Sequence, residues 1–168
     1  MSFPRSVCVF CGSSDRGPRR HRAAAARLGA LAAGGRVVGV IPEHLMRREV
    51  GHLQTTELIV TATMHERKAT MFARADAFVV LPGGPGTLDE TFEILTWRQL
   101  GLHDKPVVVC DSDGYWRPLT ALVEHMIRSR YVKAAFRDFF SVAPDPEAVI
   151  DRLRHAPPRR RPTRADRI

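Results

Sequence analysis

A glycine-rich stretch between an apolar strand and a helix carries the clearest chemical signal in this sequence. Residues 82–90 have the sequence Pro-Gly-Gly-Pro-Gly-Thr-Leu-Asp-Glu and follow the apolar run Ala-Phe-Val-Val-Leu at 77–81. Such a turn presents unpaired backbone N–H groups and the positive end of a helix dipole, which together attract phosphate. Glycine allows the anion to come close, and the Thr87 hydroxyl can donate to it. The alternative is a tight turn with nothing bound.

Charged residues of two predicted helices extend this candidate site. Glu90 lies in the first turn after the glycines, and Glu93 follows it on the same helix face. A carboxylate beside a sugar phosphate can orient water or stabilise a cationic sugar, although simple complementarity to the helix dipole is the alternative, which Asp89 also fits. Arg67 and Lys68 begin an earlier helix, where the dipole disfavours cations. A bound anion would resolve that mismatch, and a solvated helix face is the alternative.

The elements that must position these groups alternate between strand and helix patterns. This alternation predicts an α/β fold, a Rossmann-like parallel sheet flanked by helices. The predicted strands are Val7–Phe10, 36–41, Glu57–Thr61, 77–81 and 106–110. The predicted helices are 19–32, Met64–Arg74 with Thr63 as N-cap, 87–100 with Gly101 after its end, 116–130 and Pro146–Arg154. The continuous apolar run at 77–81 is typical of a central strand.

Length and charge limit the classes of protein to which the chain can belong. Its 168 residues favour one domain, which we place at residues 1–155 as a nucleotide-binding domain. The net charge is +8, but residues 156–168 hold five arginines and three prolines without apolar periodicity. We expect this basic tail to be disordered. Because no RNA-binding signature or basic recognition helix is present, nucleic acid is not the expected partner, and tight, salt-sensitive binding through the tail is the competing hypothesis.

The cysteines and the N-terminal residues give little sign of a metal site or of membrane targeting. Cys8 and Cys11 have Cys-x-x-Cys spacing, but no second such pair or histidine pair completes a zinc set. We interpret them as buried small apolar residues. No apolar run is long enough to span a bilayer, and the N-terminus lacks the features of a signal peptide. A cytoplasmic protein with no membrane partner is therefore expected.

Several segments together resemble the LONELY GUY (LOG) family, the cytokinin-activating phosphoribohydrolases formerly labelled lysine decarboxylases. The matching segments are residues 7–14, 39–42, 48–50, 64–68, 82–90 and 96–101. The resemblance extends over nearly all of residues 6–153. Its most specific part is the pattern Pro-Gly-Gly-x-Gly-Thr-x-x-Glu together with the upstream Arg67-Lys68 pair.

The resemblance implies a reaction and a set of site residues. Nucleoside 5′-monophosphate, either AMP or an N6-modified form such as N6-isopentenyl-AMP, would be hydrolysed to free base and ribose 5-phosphate. Arg67 and Glu90 would be the catalytic pair. The implied substrate-binding residues are Ser13, Glu49, Lys68, Gly83, Gly84, Gly86, Thr87 and Thr96. The resemblance implies no metal or organic cofactor, and it implies a homodimer with sites near the subunit interface.

A lysine decarboxylase, the activity in the older family label, would need a different catalytic residue. A pyridoxal enzyme needs a lysine that forms a Schiff base with the cofactor. The chain has only Lys68, Lys105 and Lys133, and none lies in a recognisable pyridoxal motif. The sequence therefore favours the hydrolase.

The chain departs from the family pattern at one place. Between the first predicted helix and Gly34-Gly35, the family normally has a further strand, a glycine-rich loop and a helix. We therefore predict that one βα unit of the family fold is absent, which would leave a gap in the sheet or change the strand order. Because that loop normally helps form the nucleotide pocket, a catalytically weak nucleotide-binding protein is the alternative to an active hydrolase.

Overall fold

Four parallel strands form the main sheet of the protein. The structure is a computed structural model and describes residues 4–12, 17–19, 21, 25, 29, 34–46 and 55–156. The main sheet has the strand order β1-β4-β5-β6. Its strands are β1 Val7–Phe10, β4 Ala77–Val80, β5 Val107–Cys110 and β6 Ser141–Ala143. The predicted α/β class with a parallel sheet is confirmed, whereas β6, which has only three residues, was not predicted.

Both faces of this sheet are covered by packed side chains. Because side chains alternate along a strand, Phe78 and Val80 of β4 point into one core cluster with Ile94, Leu95 and Trp116. Ala77, Val79 and Leu81 point the other way and pack with Val108, Val149 and Leu153. All four residues of β4 and of β5 are buried, as expected of parallel strands with helices on both sides.

Two further strands lie apart from the main sheet. β2 Val38–Pro42 and β3 Glu57–Thr61 form a separate two-stranded parallel sheet in the part of the chain that the structure describes. A strand missing between β1 and β2 would produce such a separation. Residues 13–16 and most of residues 20–33 are outside the described part, so the absent βα unit stays a prediction. Of the predicted helix 19–32, the structure describes Arg19, His21, Ala25 and Gly29, all in helical conformation.

Apart from a short first helix that was not predicted, the helices begin and end close to their predicted bounds. They are α1 Glu43–Met46, α2 Met64–Arg74, α3 Pro85–Gln99, α4 Arg117–Arg128 and α5 Pro146–Arg154. Thr63 caps α2 as predicted, because its hydroxyl accepts the Glu66 N–H at 3.1 Å. Helix α3 begins two residues earlier than predicted, since Pro85 occupies the first helical position that suits proline. Gly101 has φ of +72° just after α3, which fits its predicted capping role.

The described helices show no membrane-spanning candidate, since none is both long and apolar enough to cross a bilayer. Of the predicted tail at residues 156–168, only Ala156 lies in the described part of the chain.

Candidate active site

The turn between β4 and α3 is held against the neighbouring strand β1. The Leu81 N–H donates to the Phe10 carbonyl at 2.8 Å, and the Gly12 N–H donates to the Pro82 carbonyl at 3.2 Å. A Cβ at Gly83 would lie 2.1 Å from Thr87 Oγ1 and 2.8 Å from the Gly12 nitrogen. Glycine is therefore required at position 83 by packing alone, and this part of the motif fits the interpretation of a tight turn.

Gly84 and Gly86 behave differently from Gly83. A Cβ at either position would meet no atom within 4 Å, and neither has positive φ. The described structure gives no packing reason for glycine there, and a glycine inside a helix costs about 1 kcal/mol relative to alanine. Open space in front of these residues is what an anion would need to approach the backbone.

The first turn of α3 has backbone donors that the helix itself does not satisfy. Gly84 is its N-cap and provides no side-chain hydrogen bond, and Pro85 has no N–H. The first bond within the helix is the Leu88 N–H to the Gly84 carbonyl, at 3.1 Å. The N–H groups of Gly86 and Thr87 therefore have no carbonyl partner within the helix. These two donors, at the positive end of a 15-residue helix, can bind an anion.

Glu90 of α3 and Arg67 of α2 form a mostly buried ion pair. Arg67 Nη1 lies 2.7 Å from Glu90 Oε1, and only 8% of Glu90 is exposed. Arg67 Nε also donates to the Val40 carbonyl at 3.1 Å, which connects α2 to strand β2. Burial raises the pKa of Glu90 above its ordinary value, and the positive charge of Arg67 opposes that rise only in part. The structure thus brings together the two residues predicted to be catalytic.

Lys68 faces the carboxylates of α3. Its Nζ lies 3.2 Å from Asp89 Oδ2 and 3.3 Å from Glu93 Oε1. Together with the Arg67–Glu90 pair, these contacts neutralise the cations at the start of α2. Protein carboxylates therefore offset the unfavourable position of these two cations at a helix N-terminus. The presence of the cations there no longer indicates a bound anion.

The threonines of α3 occupy two distinct environments. Thr87 is buried with its hydroxyl against Gly83, and its carbonyl accepts the Thr91 hydroxyl at 2.6 Å. Thr96 is exposed six residues beyond Glu90, about 9 Å further along the helix axis. It lines an open groove of about 390 Å³ on the outer side of α3. The described chain therefore does not bring Thr96 beside the Arg67–Glu90 pair, and the predicted residues Ser13 and Glu49 are outside the described part.

Cys8 within β1 and Cys11 just after it lie close enough to Glu90 and Arg67 to feel their charges. Cys8 is half-buried and Cys11 is exposed, so the prediction that both are buried is wrong for Cys11, which follows the end of the strand. Burial, helped by the negative charge of Glu90, raises the pKa of the Cys8 thiol to about 12. The thiol therefore stays protonated near neutral pH and is a poor metal ligand. Among the described residues no cluster of metal-ligating side chains is found.

Tyr115 contacts the glycine turn but was not predicted as a site residue. Its hydroxyl donates to the Gly83 carbonyl at 2.6 Å. The residue follows strand β5 and a short 3₁₀ turn at Ser112–Gly114. Since sites in parallel sheets gather at the carboxyl ends of strands, the position of Tyr115 just after β5 was a usable signal.

Comparison with known proteins identifies the family. A family model described as "Possible lysine decarboxylase" matches residues 23–153. LOGL2 of Oryza sativa subsp. japonica, a probable cytokinin riboside 5'-monophosphate phosphoribohydrolase, is 37% identical over 180 residues, covering 92% of this chain and 74% of the relative. The chain belongs to the LOG family. The LOG enzyme of Rhodococcoides fascians, named cytokinin riboside 5'-monophosphate phosphoribohydrolase, is 40% identical, and 90% of each chain is covered.

The family predicted from the sequence is therefore confirmed. LOG3 of Arabidopsis thaliana, with the same enzyme name, is 35% identical over 92% of this chain and 84% of its own length. The names of these relatives are those of phosphoribohydrolases, the enzyme class that the resemblance implied.

The alignments to LOG relatives are longer than the chain itself. They span 180 residues for LOGL2 and 178 for the Rhodococcoides fascians enzyme, whereas this chain has 168 residues in all. Each relative therefore contains residues with no counterpart here. The alignment lengths do not say where in the fold these residues lie, so the absence of a βα unit stays a prediction.

The lysines are placed for structural roles rather than for the chemistry that the older family description suggests. Lys105 Nζ donates to the Phe72 carbonyl at 2.6 Å and lies 3.7 Å from the centroid of the Phe72 ring. Lys68 is paired with two carboxylates, and Lys133 is exposed at the start of a 3₁₀ helix. A Schiff-base lysine needs a neutral amine within a pocket, so these placements favour hydrolase chemistry.

Proposed function

We propose that this LOG protein hydrolyses the N-glycosidic bond of adenosine 5′-monophosphate or an N6-modified form of it, releasing the free base and ribose 5-phosphate. The observation that supports this most directly is the buried Glu90–Arg67 pair behind a helix N-terminus whose Gly84 and Gly86 face open space. Such an arrangement suits a substrate with a phosphate at one end and a bond that develops positive charge at the other.

The proposed chemistry follows the charges of the reaction. As the bond between C1′ and the base nitrogen breaks, positive charge develops on C1′ and negative charge on the base. The Glu90 carboxylate stabilises C1′ and accepts a proton from the attacking water, whose oxygen forms the new bond to C1′. The proton passes to the departing base. Arg67 counters negative charge on the phosphate or the base.

The substrate-binding groups are also proposals. The N–H groups of Gly84, Gly86 and Thr87 hold the phosphate, and Gly83 gives the turn its shape. Lys68 contributes positive charge near the ribose phosphate, and Ser13, Glu49 and Thr96 are the further proposed substrate-binding residues. The reaction as proposed requires no metal or organic cofactor.

Two substitutions test the assignment of Glu90. Glu90→Gln keeps the shape of the side chain but cannot stabilise a cation or take a proton, so base release from AMP should fall on the order of 10²–10⁴-fold. Glu124→Gln is the matched control, since Glu124 is also paired with an arginine, Arg137, at 2.6 Å but lies on the surface of α4. Chromatography of adenine released from AMP and from N6-isopentenyl-AMP provides the measurement. Equal activity in both variants would refute the role of Glu90.

A nucleotide-binding protein with weak or no activity is the second candidate. The residues that LOG relatives have and this chain lacks favour it, because the predicted missing loop normally helps form the pocket. Calorimetric titration with AMP, run beside the base-release assay, separates the two. Binding without release of base supports the second candidate, and release of base supports the first.

We also propose that the chain forms a homodimer through α3. The open groove along this helix presents apolar side chains, and Leu100 and Leu102 just beyond the helix are 66% and 65% exposed. The groove is lined by Pro85, Leu88, Asp89, Phe92, Glu93, Thr96 and Trp97. Burial of this surface would stabilise a dimer, and would allow a partner subunit to complete the site. Light scattering after size exclusion should give twice the chain mass, and Phe92→Asp should give the mass of one chain.

A further inference from the structure

Tyr115 holds a carbonyl of the glycine turn from outside the turn. Its hydroxyl donates to the Gly83 carbonyl at 2.6 Å, while the preceding carbonyl, that of Pro82, accepts the Gly12 N–H. Two consecutive peptide groups of the turn are thus fixed by bonds to other segments. The Gly12 contact joins two backbone segments, whereas the Tyr115 contact comes from a side chain.

The ring of Tyr115 packs against two other aromatic side chains. Its ring makes edge contacts with His21 and Trp116, at centroid distances of 5.0 Å and 4.8 Å. Trp116 is buried, and its backbone N–H donates to the side chain of Asp111. Gly114 has φ of +73°, a conformation that favours glycine, and directs the chain from β5 into this position. Although 40% of Tyr115 is exposed, these contacts orient its ring so that the hydroxyl reaches the Gly83 carbonyl.

The bond to the Gly83 carbonyl determines the direction of the next N–H. A trans peptide is planar, so the carbonyl of Gly83 and the N–H of Gly84 point in opposite directions. Because neither residue has a side chain, rotation of this peptide meets little steric resistance from the residues themselves. With the carbonyl held by Tyr115, the Gly84 N–H points to the side of the turn away from the tyrosine. Gly84 is also the N-cap of α3, where the unpaired donors of that helix begin.

We propose that Tyr115 is a positioning residue for the phosphate-binding turn, which orients the Gly84 N–H through the Gly83 carbonyl. This proposal rests on the proposed function, in which that N–H binds the 5′-phosphate. The phosphate is held equally in the bound substrate and in the transition state. Loss of a correctly oriented Gly84 N–H should therefore weaken substrate binding rather than slow the chemical step.

Two tyrosine substitutions provide a matched test, since the chain has only two tyrosines. Tyr115→Phe removes the hydroxyl but keeps the ring that contacts His21 and Trp116. Tyr131→Phe is the control, because Tyr131 is 85% exposed. For Tyr115→Phe, the Kd for ribose 5-phosphate and the KM for AMP should both rise about five-fold, as expected for one lost hydrogen bond. The kcat should change less than about two-fold, and Tyr131→Phe should match the wild type.

The outcomes separate the positioning role of Tyr115 from the proposed function on which it rests. A lower kcat at unchanged KM, with a lower Tm, would mean that the hydroxyl only supports folding and would overturn the positioning role. Unchanged Kd and KM in Tyr115→Phe would overturn it as well, while leaving the proposed function intact. If the wild-type protein neither binds ribose 5-phosphate nor releases adenine from AMP, the proposed function fails, and this inference fails with it.

Discussion

The two sheets of this protein are built from similar residues but are buried very differently. Every residue of β4 and β5 is buried, whereas Leu58 and Val60 of β3 are 43% and 47% exposed. The main sheet has helices on both faces, and the described helices cover the small sheet less completely. Arg67 connects the two parts of the fold, since it bonds to Glu90 of α3, which packs on the main sheet side, and to the Val40 carbonyl of β2 in the small sheet. The candidate site therefore combines a firmly packed half with a weakly packed half.

The largest difference between the sheets should appear when an apolar side chain is removed from each. Phe78→Ala in β4 should lower the free energy of unfolding by about 4 kcal/mol, because Phe78 is fully buried and stacks on Phe10 and Phe72. Leu58→Ala in β3 should cost about 1 kcal/mol or less, because much of the side chain is already in water. Urea unfolding of both variants makes the measurement. Similar losses would show that the small sheet is as well packed as the main one.

A smaller effect is expected from removing the link between the sheets. Arg67→Met leaves Glu90 without its partner and breaks the bond to the Val40 carbonyl, which should lower the free energy of unfolding by about 2 kcal/mol. Amide hydrogen exchange should accelerate in β2 and β3 more than in β4 and β5, because the small sheet depends on that link. Equal acceleration in both sheets would contradict this view of Arg67.

The free energy of unfolding should depend on pH because the pKa of Glu90 is raised. A carboxyl whose pKa is higher in the folded state stabilises the fold below its unfolded pKa, and that stabilisation is lost as pH rises through the folded value. The difference in unfolding free energy, wild type minus Glu90→Gln, should therefore be greater at pH 4 than at pH 8.

The exposed ion pair between Glu124 of α4 and Arg137 should give a pH dependence of the opposite sign and serves as the control. Hydrogen bonding from Arg137 lowers the pKa of Glu124, so its contribution is present above its unfolded pKa and lost as pH falls. Chemical unfolding of wild type, Glu90→Gln and Glu124→Gln across pH 4–8 would reveal the contrast. The same slope for both variants would mean that burial does not dominate at Glu90.

The smallest effect should come from the exposed ion pairs of the small sheet. Arg36 and Arg74 both pair with Glu57, but the Arg36 side chain is 70% exposed. Arg36→Ala should therefore change the free energy of unfolding by about 0.5 kcal/mol or less, and added salt should remove the difference. Unfolding curves at low and high salt provide the check, and a large, salt-insensitive loss would show that Arg36 also packs against the sheet.

Local patterns predicted most of the described elements. Val7–Phe10, Glu57–Thr61, Met64–Arg74 and Pro146–Arg154 have the predicted bounds, because alternation, caps and prolines are local signals. The three-residue strand Ser141–Ala143 and the short helix Glu43–Met46 were missed, since segments of three or four residues show no period. The departure from the family pattern predicted a gap in the sheet or a changed strand order, but which strands pair depends on contacts between distant segments, which no local pattern contains.

The candidate site, too, could be predicted only in part from the sequence. The resemblance named Arg67 and Glu90, and the structure places them 2.7 Å apart, although their roles remain predictions. The contacts of Arg67 with Val40, and of Tyr115 with Gly83, involve backbone carbonyls whose residue types carry no chemical signal. The pairing of Lys68 with Asp89 and Glu93 was also hidden, because it requires the relative placement of α2 and α3.

The double anchoring of Arg67 has a consequence for ligand affinity. A free arginine side chain samples many rotamers, and restricting them costs about 2 kcal/mol of entropy. Here Nε and Nη1 are already engaged by Val40 and Glu90, so that cost is met when the chain folds. A guanidinium has five N–H groups, and those of Nη2 are not used in either bond. An arriving anion would therefore meet a cation that is already immobilised, and less of its binding energy would be spent on ordering the protein.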